Sequence, residues 1–134
     1  MSEPLHPKEM EAVLGLSGQE RYGYFIERVV EREEVWGLQN EEGWVLISFP
    51  EGDAFCLWPH ADYARACTRG DWSDCAPEGI SLDELIGELV PALQRDNLRL
   101  AIFPTPAGEA MVVDSRDLQE HLESAFAQLR SHDQ

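Results

Sequence analysis

Between residues 17 and 34 the apolar side chains Tyr22, Phe25, Ile26, Val29 and Val30 recur at steps of three and four, with Glu27, Arg28, Glu31 and Arg32 between them. That spacing is helical, and Ser17 followed three residues later by Glu20 supplies a capping box, so a helix is predicted over residues 18–34. Upstream, Pro4 and Pro7 precede a short helical turn expected over residues 8–14, before Gly15. The period then changes. Residues 35–39, 44–49 and 54–58 are runs of β-formers separated by Asn40-Glu41-Glu42-Gly43 and Pro50-Glu51-Gly52-Asp53, which predicts a three-stranded antiparallel meander. The middle run is apolar on both alternating sets of positions and should be the most buried of the three.

Pro59 ends the third run and suits the first position of a helix in which Tyr63, Ala64 and Cys67 turn inward before Gly70 stops it. Residues 71–79 read as a loop. Ser81 and Glu84 form a second capping box, with Ile80 and Leu85 at the two positions of a hydrophobic staple. Leu82, Leu85, Ile86, Leu89 and Leu93 make the apolar stripe of that helix, and Pro91 must interrupt it because its ring meets the carbonyl of Gly87. Residues 98–103 and 109–113 pair across Pro104-Thr105-Pro106-Ala107-Gly108 as a hairpin. Asp114 then caps a last helix, stapled by Val113 and Leu118 and facing the core through Leu118, Leu122, Ala125, Phe126 and Leu129.

The element order α-βββ-α-α-ββ-α lacks the regular alternation of a parallel sheet, so the fold class is α+β. We expect a single domain over residues 1–134, with an antiparallel sheet of about five strands, made of the meander and the C-terminal hairpin, packed with about four helices. The ordered core should span about residues 17–130, with residues 1–8 and 131–134 flexible.

Composition changes this picture mainly by exclusion. A chain of 134 residues with 43% hydrophobic side chains can bury one core without a metal or disulfide scaffold. Its apolar runs fall short of the roughly 18 residues of a membrane span, and the N-terminal stretch lacks the basic start and apolar segment of a secretion signal. Three irregularly spaced cysteines argue against a disulfide framework and for a reducing, cytoplasmic setting. Against 26 Asp and Glu stand 10 Lys and Arg, a net charge of -16, which repels nucleic acid and anionic membranes and favours a basic protein partner.

In order along the chain stand Val35-Trp36-Gly37-Leu38, Gly43-Trp44, Leu57-Trp58-Pro59-His60, Ala64 and Phe103-Pro104-Thr105-Pro106. This set resembles the small bacterial family known as domain of unknown function 2750, over roughly residues 20–122. The resemblance implies a compact, stand-alone bacterial domain and brings no activity, ligand or catalytic residue with it.

Chemistry must therefore be sought in the residues themselves. Cys56, His60, Cys67 and Cys75 lie within twenty positions, yet they lack the close ligand pairs of structural zinc sites; no metal and no cofactor is expected, and Cys56 and Cys67 read as buried thiols. Cys75, the most exposed candidate nucleophile, stands among Asp71, Asp74 and Glu78, whose charges would raise its pKa. The acidic pairs Glu33-Glu34, Glu41-Glu42 and Asp83-Glu84 read as solvated surface or as complements to a helix dipole. Trp58-Pro59-His60, with Tyr63 close behind, is the segment to watch, because a strand end meeting a helix start can bring backbone N–H groups and an imidazole to the surface together. Against this stands a plainer reading, in which Trp58 packs and His60 is a solvated cap.

Two functions follow. The first is a non-catalytic interaction module, of inhibitor or adaptor type, whose acidic surface, including Glu41 and Glu42, docks a basic protein. The second is a small-molecule pocket or weak enzyme around Trp58, His60 and Tyr63. A structural homodimer stands as a third option.

Overall fold

The computed structural model describes residues 5–50 and 52–132. The turn expected over residues 8–14 is helix α1, Pro7–Leu14, with His6 as its N-cap. Helix α2, Gly18–Arg32, starts with both halves of the Ser17/Glu20 capping box formed. It stops at Glu33, whose left-handed backbone (φ 56°) turns the chain into strand β1, Glu34–Asn40. Phe25, Ile26, Val29 and Val30 are buried along α2, as the period requires. Of the termini expected to be flexible, residues 1–4 and 133–134 lie outside the described residues; Pro7 and Lys8 begin α1, and the last helix runs to His132.

The single antiparallel sheet is the main correction. The described residues form two sheets, of three and four strands. The predicted middle strand divides: β2, Gly43–Trp44, pairs with β1, and β3, Leu46–Phe49, pairs with β4, Gly52–Leu57. Val45 stands between them, and its N–H still donates to Leu38 O (2.9 Å). Nor is this run the most buried, since Leu46 is 39% exposed; β4 is buried more deeply, with Ala54 to Leu57 all in the core. A run apolar on both faces here serves two sheets in turn.

Residues 71–79, expected as a loop, instead lead through a short 3-10 turn, Gly70–Trp72, into strand β5, Ala76–Ser81. It pairs antiparallel with β1 over six residues, from Glu34↔Ser81 to Gln39↔Ala76. Pro77 and Gly79 hid it from the pattern, and both are tolerated because β5 is an edge strand. Sheet order is β2-β1-β5 in the first sheet and β3-β4-β6-β7 in the second. Strands β6, Arg99–Ile102, and β7, Met111–Val113, form the predicted hairpin, but β6 lies parallel to β4 with Ala54↔Arg99 and Leu57↔Ile102 in register. The second sheet is therefore mixed.

Helix α3 is Ala61–Ala66, with Cys67 rather than Gly70 at its C-cap. Pro59 lies before the helix instead of at its first position, because the His60 side chain takes the N-cap. After Ser81, helix α4, Leu82–Glu84, passes through a π turn, Leu85–Leu89, into α5, Val90–Arg95. The π turn absorbs Pro91: the Val90 N–H reaches back to Leu85 O, and the proline falls in the first turn of α5. Helix α6, Ser115–His132, closes the structure and buries Leu118 and Leu122. No helix among the described residues is long and apolar enough to cross a membrane.

Candidate functional site

Strand β4 is followed at once by the fully buried Trp58, whose indole N–H donates to the carbonyl oxygen of Pro104 (2.8 Å). The Cys67 thiol donates to the same oxygen (3.3 Å). That carbonyl is held in place by Phe103, whose N–H donates to Leu57 O (2.8 Å) and whose backbone is left-handed (φ 57°), a costly state for a bulky residue. Tyr63 packs on the Phe103 ring at 4.7 Å between centroids, and its hydroxyl lies 3.0 Å from that of Tyr24. Tyr24 in turn donates to Glu9 Oε2 (2.8 Å), which ties α1 to α2.

His60 is a cap, but not a solvated one: it is 4% exposed. Its Nδ1 accepts the N–H of Asp62 (3.0 Å), which puts the proton of the neutral ring on Nε2. The Asp62 carboxylate lies 3.8 Å from the same Nδ1, accepts from Arg65 (2.7 Å), and receives the Leu5 N–H (2.8 Å). Trp58, His60 and Tyr63 are thus brought together around the start of α3, with every one of them in the core. Glu41 and Glu42 are elsewhere, exposed at the tip of the β1–β2 hairpin, where Asn40 Oδ1 accepts the Glu42 N–H (2.8 Å).

The thiols are buried too, Cys75 among them, contrary to its expected exposure. Burial pushes the Cys56 thiol up to about 12 and the Cys67 thiol up to about 11. Burial, followed by the Asp74 charge, raises Cys75. Thiols this protonated are poor nucleophiles. Among the described residues no group of three His, Cys, Asp or Glu side chains converges as a metal site would.

Beside Trp58 lies a cleft of about 210 Å³, lined by Cys67, Arg69, Trp72, Pro104 and Thr105 among others. Trp72 stands edge-on to Trp58 at 6.3 Å. The loop below the cleft is tightly closed on itself, with Gly108 N–H to Thr105 O (2.9 Å) and Glu109 N–H to Thr105 Oγ1 (3.2 Å).

Residues 22–122 match the family described as Protein of unknown function (DUF2750). The chain belongs to this family. No curated protein matches it. Seven of the residues that carry the DUF2750 resemblance, Trp36, Gly37, Trp44, Leu57, Trp58, Phe103 and Pro104, are linked in space along one seam. Trp36 and Trp58 exchange backbone hydrogen bonds (2.9 and 2.8 Å), the Trp44 ring lies against Gly37, and Phe103 and Pro104 hold Leu57 and Trp58. In this DUF2750 chain that seam joins the two sheets.

Sequence reasoning missed Arg21, 2% exposed on the inner face of α2, whose guanidinium donates to Leu16 O (2.6 Å) and approaches Glu109 Oε2 (3.6 Å). It falls on the helix's apolar stripe beside Phe25, and that position was the available signal.

Proposed function

We propose that the protein is a non-catalytic interaction module whose acidic surface docks a basic protein partner. One observation carries this reading. The side chains with chemistry to offer, Trp58, His60, Tyr63, Cys56 and Cys67, are taken up in the core, and the surface is left with a large excess of carboxylates. Of the basic residues, Arg21, Arg28, Arg65 and Arg99 are each paired with a carboxylate of this chain, so the net charge of -16 is carried by the remaining charged residues. Such a field speeds encounter with a cation and repels nucleic acid. Buried, unpaired thiols support a cytoplasmic setting.

The test is recovery of a partner with the tagged protein from its native host, then surface plasmon resonance at several salt concentrations. Association should slow about tenfold as the Debye length shrinks from roughly 30 Å to 8 Å, with dissociation changing less. Replacing Glu41 and Glu42 by Lys should slow it further. An acidic partner, or an association rate indifferent to salt, defeats the reading.

A second reading, a small-molecule site, is favoured by the cleft against Trp72 and by the left-handed Phe103, which precedes its wall residue Pro104. At about 210 Å³ it lies below the roughly 300 Å³ at which ligand pockets usually begin, which places it second.

A further inference from the structure

An apolar groove lies away from the Trp58 centre, between the π turn and α6. It holds about 520 Å³. Its apolar wall is made by Ile86, Leu122 and Phe126, and its rim carries the exposed carboxylates Glu33, Asp83 and Glu123. Among the described residues the rim carries one cation, Arg130, which lies over the Phe126 ring at 5.5 Å. Leu122 is buried, but Ile86 and Phe126 remain half-exposed although both belong to the apolar stripes of their helices.

We infer that this groove is the docking site for a basic amphipathic helix of the partner protein. The inference rests on the acidic-module reading and adds a place and a partner chemistry to it. Three features select this occupant. Both walls are helical, so they present side chains rather than an open strand edge, and the complementary shape is a helix laid in a groove. Three carboxylates against one guanidinium call for lysines or arginines flanking the apolar anchors. A second copy of the chain is the poorer fit, since each copy carries a net charge of -16 and would set carboxylate against carboxylate. The π turn itself fits this role, because such turns recur at functional sites and this one carries Ile86 into the groove wall.

The probe is a fluorescein-labelled peptide of about 14 residues, with Leu at positions i, i+3, i+4 and i+7 of one helical face and Lys elsewhere, compared by anisotropy with a scrambled isomer of equal charge. The ordered peptide should bind at least about tenfold more tightly than the scrambled one. Phe126→Arg and Ile86→Arg should each weaken it about tenfold, whereas Leu46→Arg, an identical charge change at an exposed leucine of the second sheet, should cost less than about threefold. Glu123→Lys, on an exposed rim position, weakens binding without touching the core, and amide shifts on titration should centre on Ile86, Leu122, Glu123 and Phe126. Equal binding of ordered and scrambled peptides, or equal losses in Phe126→Arg and Leu46→Arg, overturns the groove and leaves the acidic reading standing. Failure of both peptides to bind at low salt overturns both. A dimer in sedimentation that Phe126→Arg converts to monomer gives the groove to a second copy and overturns the inference.

Discussion

Trp36 and Trp58 face each other across an isolated antiparallel bridge, each donating its N–H to the other's carbonyl, and this pair is what joins β1 of the first sheet to the end of β4 in the second. The two tryptophans differ in burial: Trp58 is fully enclosed and bonded to Pro104, while Trp36 is half-buried and lies over Gly79, about 3.4 Å from where a Cβ there would stand. A bridge of one residue pair has little backbone strength, so the side chains around it hold the seam.

Trp58→Phe should therefore destabilise the whole protein by about 2 kcal/mol, through lost contact volume and the loss of the indole hydrogen bond to Pro104 O, which keeps only the weaker thiol donor of Cys67. Urea melts followed by far-UV circular dichroism check this. A midpoint equal to that of the wild type would mean that the seam does not bear on global stability.

The start of α4 gives a second expectation. Ser81 Oγ accepts the Glu84 N–H (3.1 Å) and Leu85 is fully buried, so Ser81→Ala should cost about 1 kcal/mol and Leu85→Ala about 2–5 kcal/mol. Both are read from urea midpoints at constant slope.

Two glycines should respond in opposite directions. A Cβ on Gly37 would fall 2.7 Å from the Trp44 ring, so Gly37→Ala should cost about 1–3 kcal/mol unless that ring swings out. Gly23, inside α2 with nothing within 4 Å of its would-be Cβ, should gain about 0.5–1 kcal/mol as Ala. Thermal melts of the two variants give the signs.

Alkaline pH supplies a fourth. Burial holds the thiols of Cys56 and Cys67 protonated to about 12 and about 11, and burial reinforced by Asp117 holds the Tyr22 hydroxyl to about 12. The unfolded chain gives up these protons nearer their ordinary values of 9.0 for thiols and 10.0 for tyrosine. The folded state binds more protons across that interval, so unfolding free energy is full below about pH 9 and falls as pH rises toward 12. Urea midpoints at about pH 8 and about pH 10.5 measure the slope, and a Cys56→Ala, Cys67→Ala pair should flatten it. At about pH 8 native thiols should resist a disulfide reagent that reacts at once in denaturant.

What the sequence revealed was local. Ser17 with Glu20, the Ser81 cap on the Glu84 N–H, and the β6–β7 hairpin all act within a few residues, and each is present. What it concealed depends on distant partners. Strand β5 carries Pro77 and Gly79, poor strand formers that only pairing with β1 makes extended. The run at 44–49 looked like one strand because its division at Val45 reflects two sheets competing for it. Around the candidate centre the residue types were legible but their burial was not: Trp58 finds its hydrogen-bond partner 46 positions away, at Pro104.

The parallel pairing of β4 with β6 sets the order in which this chain can mature on the ribosome. Segment 54–57 emerges long before residues 99–102, and until then only β3 covers one side of it. Nascent chains thus carry an apolar strand edge, Ala54-Phe55-Cys56-Leu57, that nothing yet made can pair on its other side. Stalled or truncated products ending before residue 99 should be the forms that aggregate or recruit chaperones, and slow closure of this long crossover should dominate the refolding time.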